Sequence, residues 1–118
     1  MKICAPYHIR IFCGLKEGYG TNTYSILHSV EEAKNVCGVY CNEVGFGVSV
    51  TPTNFVYTGG HEDGFIVGIM NYPRFPKTEI ELKNHAFKLA EILLKKFNQE
   101  RLSVEFPDEV VMIEKSDL

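Results

Sequence analysis

Residues 65–70, Phe-Ile-Val-Gly-Ile-Met, are apolar at every position except Gly68. Side chains alternate across a strand, so this run offers water no polar face and needs cover on both sides. It therefore belongs in the middle of a sheet. The preceding run, 46–57, does alternate, with Val48 and Val50 on one side and Ser49, Thr51, Thr53, Phe55 and Tyr57 on the other. Pro52 has no N–H for a ladder, which places this strand at an edge or bends it there. The segment 58–64, Thr-Gly-Gly-His-Glu-Asp-Gly, reads as the turn between the two.

The other elements follow from period and punctuation. Residues 8–15 alternate, with Ile9, Ile11 and Cys13 opposite Arg10 and Phe12. Ser29-Val30-Glu31-Glu32 has the spacing of a capping box. Ala33, Val36/Cys37, Tyr40/Cys41 and Val44 then recur at helical intervals before Gly45 stops them. A second box, Thr78 to Glu81, precedes the stripe Leu82, Ala86, Leu89, Leu93 and Phe97, with Asn98 placed to cap its end. Residues 101–106 form a strand with Leu102, Val104 and Phe106 on one side. Pro107-Asp108-Glu109 turns, and 110–113 is a short last strand.

The order is β-α-β-β-α-β with one added strand. The simplest closure is α+β: a ferredoxin-like antiparallel sheet of order 4-1-3-2, an extra short C-terminal strand, and two helices on one face. That order makes the 65–70 strand central and the Pro52 strand an edge. The 118 residues are read as one domain, 1–118, long enough to bury a core without metals or disulfides.

Composition narrows the function classes. A net charge of −3 argues against sequence-independent nucleic-acid binding, which needs a basic surface to displace counterions. No run approaches the roughly 18 apolar residues of a membrane span, and no signal-peptide pattern opens the chain. A cytoplasmic location is expected. Cys4, Cys13, Cys37 and Cys41 contain no CxxC, and His8, His28, His61 and His85 have no zinc-like spacing. Reduced thiols, no metal and no cofactor are expected.

Topology sorts the loops into two ends of the sheet. One end gathers the long segment 16–28, the 58–64 turn and the 98–101 connection. Gly18 and Gly20 there let backbone N–H groups approach an anion, Tyr19 offers a stacking face, and Thr21, Asn22 and Thr23 add directional hydrogen bonds. The lysine and further glycine of known phosphate loops are missing, which favours the plainer account of a flexible loop of turn-forming residues. His61 is the acid–base candidate at this end, and Arg101 lies beside it. The other end holds Asn71-Tyr72-Pro73-Arg74-Phe75-Pro76. Arg74 between aromatics suits stacking, a phosphate contact, or an ion pair to Asp108 or Glu109.

The third feature is the sheet face turned away from the helices. Phe12, Phe55, Tyr57, Ile66 and Met70 would make an apolar patch larger than monomers expose, so a second copy is expected to cover it. Loops from two chains would then enclose a pocket that one chain cannot.

The run from Phe65 to Ile113, "NYPRFPK…LAEILLKKFNQERLSVEFPDEVVMIE", resembles small proteins of bacteriophages and gut bacteria. Phe97-Asn98-Gln99-Glu100-Arg101 is similar to the F-x-Q-E-R/S signature of a family of ferredoxin-like domains. The resemblance implies a host-interaction role, of which oligomeric sequestration of a nucleotide signal of host immunity is one form. It carries over no binding residue.

Taken together, these features predict a homo-oligomer that binds a small polar or nucleotide-like ligand without turning it over, through Tyr19, Thr21, Asn22, Thr23, His61, Arg74 and Arg101. The alternatives are a protein-interaction module or inhibitor of a host protein, and a small enzyme acting through His61 or a loop hydroxyl.

Overall fold

The computed structural model describes residues 1–17 and 26–118. Its elements run β1 (His8–Gly14), α1 (Val30–Val44), β2 (Ser49–Tyr57), β3 (Gly60–Met70), α2 (Glu79–Lys96), β4 (Arg101–Glu105) and β5 (Val110–Glu114). The strands form one antiparallel sheet of order β2-β3-β1-β4-β5. The fold is α+β, with β3 interior, the Pro52 strand at one edge, and β5 added beyond β4 at the other.

Both helices pack on one face of this sheet. Ile9, Ile11 and Cys13 of β1 lie opposite Ile69, Val67 and Phe65 of β3, and all six are buried. Leu102 and Val104 of β4 extend that floor. Leu82, Ala86, Leu89, Leu93 and Leu94 of α2 cover it, joined by Ala33, Cys37 and Tyr40 of α1. Removing one such leucine to alanine costs about 2–5 kcal/mol, transfer plus cavity.

The helix ends follow their local chemistry, with one correction. Ser29 Oγ accepts from the Glu32 N–H at 3.2 Å, and Gly45 closes α1 in the left-handed region at φ 67°. The Glu32 carboxylate, however, takes His28 Nδ1 at 2.6 Å, so the reciprocal half of the expected box gives way to a charged partner. Thr78 Oγ1 caps α2 through the Glu81 N–H, and Asn98 follows Phe97 with φ 47°.

The 58–64 segment differs more. The turn is confined to Thr58-Gly59, with Gly59 at φ 87°, and residues 60–63 are strand. Cross-strand pairs decide this: Asn54 Nδ2 donates to Asp63 Oδ1 at 2.9 Å, and Phe55 pairs with Glu62. Since β1 pairs with β3 only as far as Gly14↔Gly64, the β2–β3 hairpin projects past the rest of the sheet. Val56 on it is 79% exposed.

Candidate functional site

Three segments meet at the Gly14 end of the sheet. Past Gly14, the chain forms an antiparallel neck: Glu17 N–H donates to the Ile26 carbonyl at 2.9 Å and His28 N–H to the Leu15 carbonyl at 2.8 Å. The end of α2 brings Gln99 to this neck. Gln99 is 8% exposed, the one buried polar side chain among the described residues. Its Nε2 donates to the Lys16 and Phe97 carbonyls, both at 3.0 Å. Carbonyls only accept, so the amide nitrogen must face them and Oε1 is left to point the other way.

It points over Gly14. A β-carbon on Gly14 would stand 2.9 Å from Gln99 Oε1 and 3.7 Å from Glu62 Oε1. The missing side chain therefore leaves a niche toward which an amide oxygen and a carboxylate oxygen converge. Gly64 serves the same end, because a β-carbon there would overlap the Phe55 ring. Phe55 and Phe12 meet edge to face, with centroids 6.4 Å apart, and wall the niche. Arg101, Ser103 and Glu100 complete a recess of about 180 Å³.

The oxygen acceptors, the carboxylate and the two aromatic rings around this space suit an organic cation, and Arg101 beside them suits an anionic group. Glu62 forms no ion pair with any described residue. Its charge reaches Cys13, whose thiol is pushed up to about 12, first by burial and then by Cys37 and Glu62. Burial likewise holds Cys37 at about 11. Neither is a thiolate nucleophile at neutral pH.

The residues singled out from sequence fall in different places. Tyr19, Thr21, Asn22 and Thr23 lie outside the described residues. Arg101 lines the recess. His61 neighbours Glu62 on β3, so its side chain is on the opposite face, where Nδ1 lies 3.3 Å from Asn54 Nδ2. Arg74 is at the far end of the sheet, its guanidinium 5.2 Å from the Phe75 ring centre. Asp108 faces Lys83 instead, whose pKa it raises. Among the described residues, no group of three histidines, cysteines or carboxylates is arranged to hold a metal.

Glu62 and Gln99 were not site candidates from sequence. Glu62 read as part of a turn, and Gln99 appeared only within the F-x-Q-E-R signature. The available signal was only its position, a polar amide soon after the end of α2 at Lys96.

Of the residues expected on the outer face, Tyr57 and Met70 are exposed and Phe12, Phe55 and Ile66 are half-buried. Phe12, Phe55, Tyr57, Ile66 and Met70 share the face opposite the helices, along with the Arg10–Glu105 ion pair at 2.5 Å. No helix among the described residues is long and apolar enough to cross a membrane.

No family model and no curated relative matches the chain. Two solved structures share its fold. A phage SAM lyase in complex with S-methyl-5'-thioadenosine superposes with a TM-score of 0.77 over 94% of this chain and 91% of that one, at 18% identity. A phage SAM lyase in the apo state gives 0.64 over 92% and 88%, at 19% identity. At these identities the likeness is one of fold.

Proposed function

We propose that this protein binds SAM at the Gly14–Glu62–Gln99 recess and cleaves it to S-methyl-5'-thioadenosine, acting in the cytoplasm of a phage-infected host. The observation that carries the reading is the convergence of Gln99 Oε1 and Glu62 Oε1 above Gly14. It supplies a cation receptor in a fold shared with a structure holding S-methyl-5'-thioadenosine.

The chemistry suits a site without a nucleophile. A sulfonium is already a good leaving group. The bond from sulfur to the amino-acid chain breaks, both electrons go to sulfur, and a neutral thioether departs. The carbon left behind is taken by an electron pair of the substrate itself, its carboxylate being nearest, so no water and no external base enter. Opposite charges cancel in this step, and a dry aromatic wall such as Phe12–Phe55 favours a transition state less charged than its ground state. The ammonium group keeps its charge throughout and is the partner suited to Glu62 and Gln99. Arg101 suits the carboxylate, and residues 18–25 the nucleoside end.

A ligand of this size needs a pocket of roughly 300 Å³ or more. The recess offers about 180 Å³, so it takes one end of the ligand. A second copy docked on the outer face would supply the remaining wall, which makes the active unit a homo-oligomer.

Incubating the protein with SAM and following products by chromatography and mass spectrometry tests the reading. S-methyl-5'-thioadenosine should form, and Glu62→Gln and Gln99→Ala should each reduce its rate by roughly 10²-fold or more at unchanged fold. SAM retained on the protein without product would favour sequestration. No SAM binding would overturn the proposal.

A further inference from the structure

At the opposite end of the molecule, between the end of α1 and the start of α2, lies a second cavity of about 500 Å³. It shares no lining residue with the recess at Gly14. Cys41, Phe46, Met70, Tyr72, Phe75 and Leu82 make it apolar. Phe75 is nonetheless 64% exposed, an aromatic held at the mouth and not folded into the core.

The rim is built, and the Asn71–Pro76 stretch builds it. Asn71 Nδ2 donates to the Ala5 carbonyl at 3.0 Å, and its Oδ1 accepts the Lys77 N–H at 2.9 Å. Its own N–H donates to the Tyr7 carbonyl at 3.1 Å, and Phe75 N–H closes a turn onto the Tyr72 carbonyl at 2.9 Å. One asparagine thus ties the segment before β1, the end of β3 and the entry to α2 together. The turn arrives in position before any ligand does.

One cation, Lys77, lines this cavity, and a second, Arg74, lies against its Phe75 wall. Lys77 Nζ lies 5.9 Å from the Phe46 ring centre and Arg74 Cζ 5.2 Å from that of Phe75. Neither forms an ion pair with a described residue. An apolar floor with Lys77 in its lining and Arg74 beside its Phe75 wall, neither in an ion pair with a described residue, is complementary to an amphipathic anion. We infer that this cavity is a second ligand site, for a small aromatic or aliphatic carboxylate or sulfonate. Its apolar body sits against Phe46 and Phe75, and its charged head meets Lys77 and Arg74.

A matched pair of naphthalene probes tests this on the intact protein: anionic 8-anilinonaphthalene-1-sulfonate and neutral N-phenyl-1-naphthylamine, titrated by fluorescence. The sulfonate should saturate at one site per chain and bind roughly tenfold tighter than the neutral probe. Lys77→Glu should remove that preference and leave neutral binding unchanged, while Phe75→Ala should weaken both. On the unmutated protein, rising salt should weaken the sulfonate alone. NMR titration of His85, stacked on Phe46 at 4.2 Å, supplies a local readout. Burial and then Lys77 hold its pKa down, so an anion beside Lys77 should move it up. Equal affinity for both probes at all salt concentrations would overturn the inference. So would displacement of the sulfonate by S-methyl-5'-thioadenosine.

Discussion

Gln99 Oε1 sits 2.9 Å from the point where a β-carbon on Gly14 would be. The two residues are far apart in sequence, and β1 and the end of α2 bring them together. The amide cannot swing aside freely, because its nitrogen is held by the Lys16 and Phe97 carbonyls.

Gly14→Ala is therefore expected to force a shift in Gln99 or in β1. Such overpacking costs about 1–3 kcal/mol. Calorimetry should show a Tm lower by roughly 5–10 °C with the fold retained. SAM binding should fall at least tenfold, since the new methyl fills the niche that Glu62 and Gln99 define. A variant that loses stability but binds SAM normally would move the ligand elsewhere.

The fold was legible where pattern decides it. An apolar run with no polar face had to be interior, Pro52 had to be at an edge, and β3 and β2 are placed so. The hairpin length was hidden because His61, Glu62 and Asp63 project beyond β1. With polar side chains on both faces, they carry no period to distinguish strand from turn. The site was hidden for a different reason. Gly14, Glu62 and Gln99 come from three segments with no shared spacing, and a glutamine announces no chemistry.

The outer sheet face gives a prediction about assembly. Phe55 touches Phe12, so changing it perturbs the sheet as well as any contact. Met70, 38% exposed at the end of β3, leaves that ring pair intact, although it also borders the second cavity. Met70→Glu should shift an oligomer toward monomer in light scattering at micromolar concentration, because burying an unpaired carboxylate costs several kcal/mol, on the order of 3–5. SAM turnover should fall with it. A monomer that turns SAM over fully would show that one chain completes the site.

The cysteines should be spectators. With thiols near 12 and 11, Cys13 and Cys37 carry almost no thiolate at neutral pH. Iodoacetamide at pH 7.5 should leave both unmodified in the folded protein and label them on unfolding, as peptide mass mapping would show. Cys13→Ser should cost stability, roughly 1–3 kcal/mol, by burying a hydroxyl in an apolar site, and leave SAM turnover per folded molecule intact. Rapid labelling of Cys13 without unfolding would mean that β1 opens more readily than its packing implies.

His28 joins the two sides of the neck and makes it sensitive to pH. Its Nε2 lies 2.8 Å from Glu17 Oε1 and its Nδ1 2.6 Å from Glu32 Oε2, with the ring edge-on to Phe97 at 4.9 Å. The side chain is 13% exposed. Burial works against its protonation, but hydrogen bonds and charge from Glu32 and Glu17 outweigh it, so its pKa is raised above 6.5. The Glu17 pKa is lowered below 4.5, chiefly by its hydrogen bond to His28, with Asn98 and Lys115 adding to the effect. Two limits follow. The stabilisation from His28 is complete below 6.5 and is lost as pH rises through its higher folded value. The stabilisation from Glu17 is complete above 4.5 and is lost as pH falls through its lower folded value. The clamp is therefore strongest between them. His28→Gln keeps a polar side chain but cannot carry the charge. The Tm difference between wild type and this variant should be greatest near pH 5–6 and shrink toward pH 8 as His28 deprotonates. The neck holds the Lys16 carbonyl that Gln99 Nε2 donates to, so SAM affinity should weaken over the same rise in pH in wild type and stay flat in the variant. A Tm difference that does not change between pH 5 and 8 would mean that His28 acts through its packing on Phe97 and not through its charge.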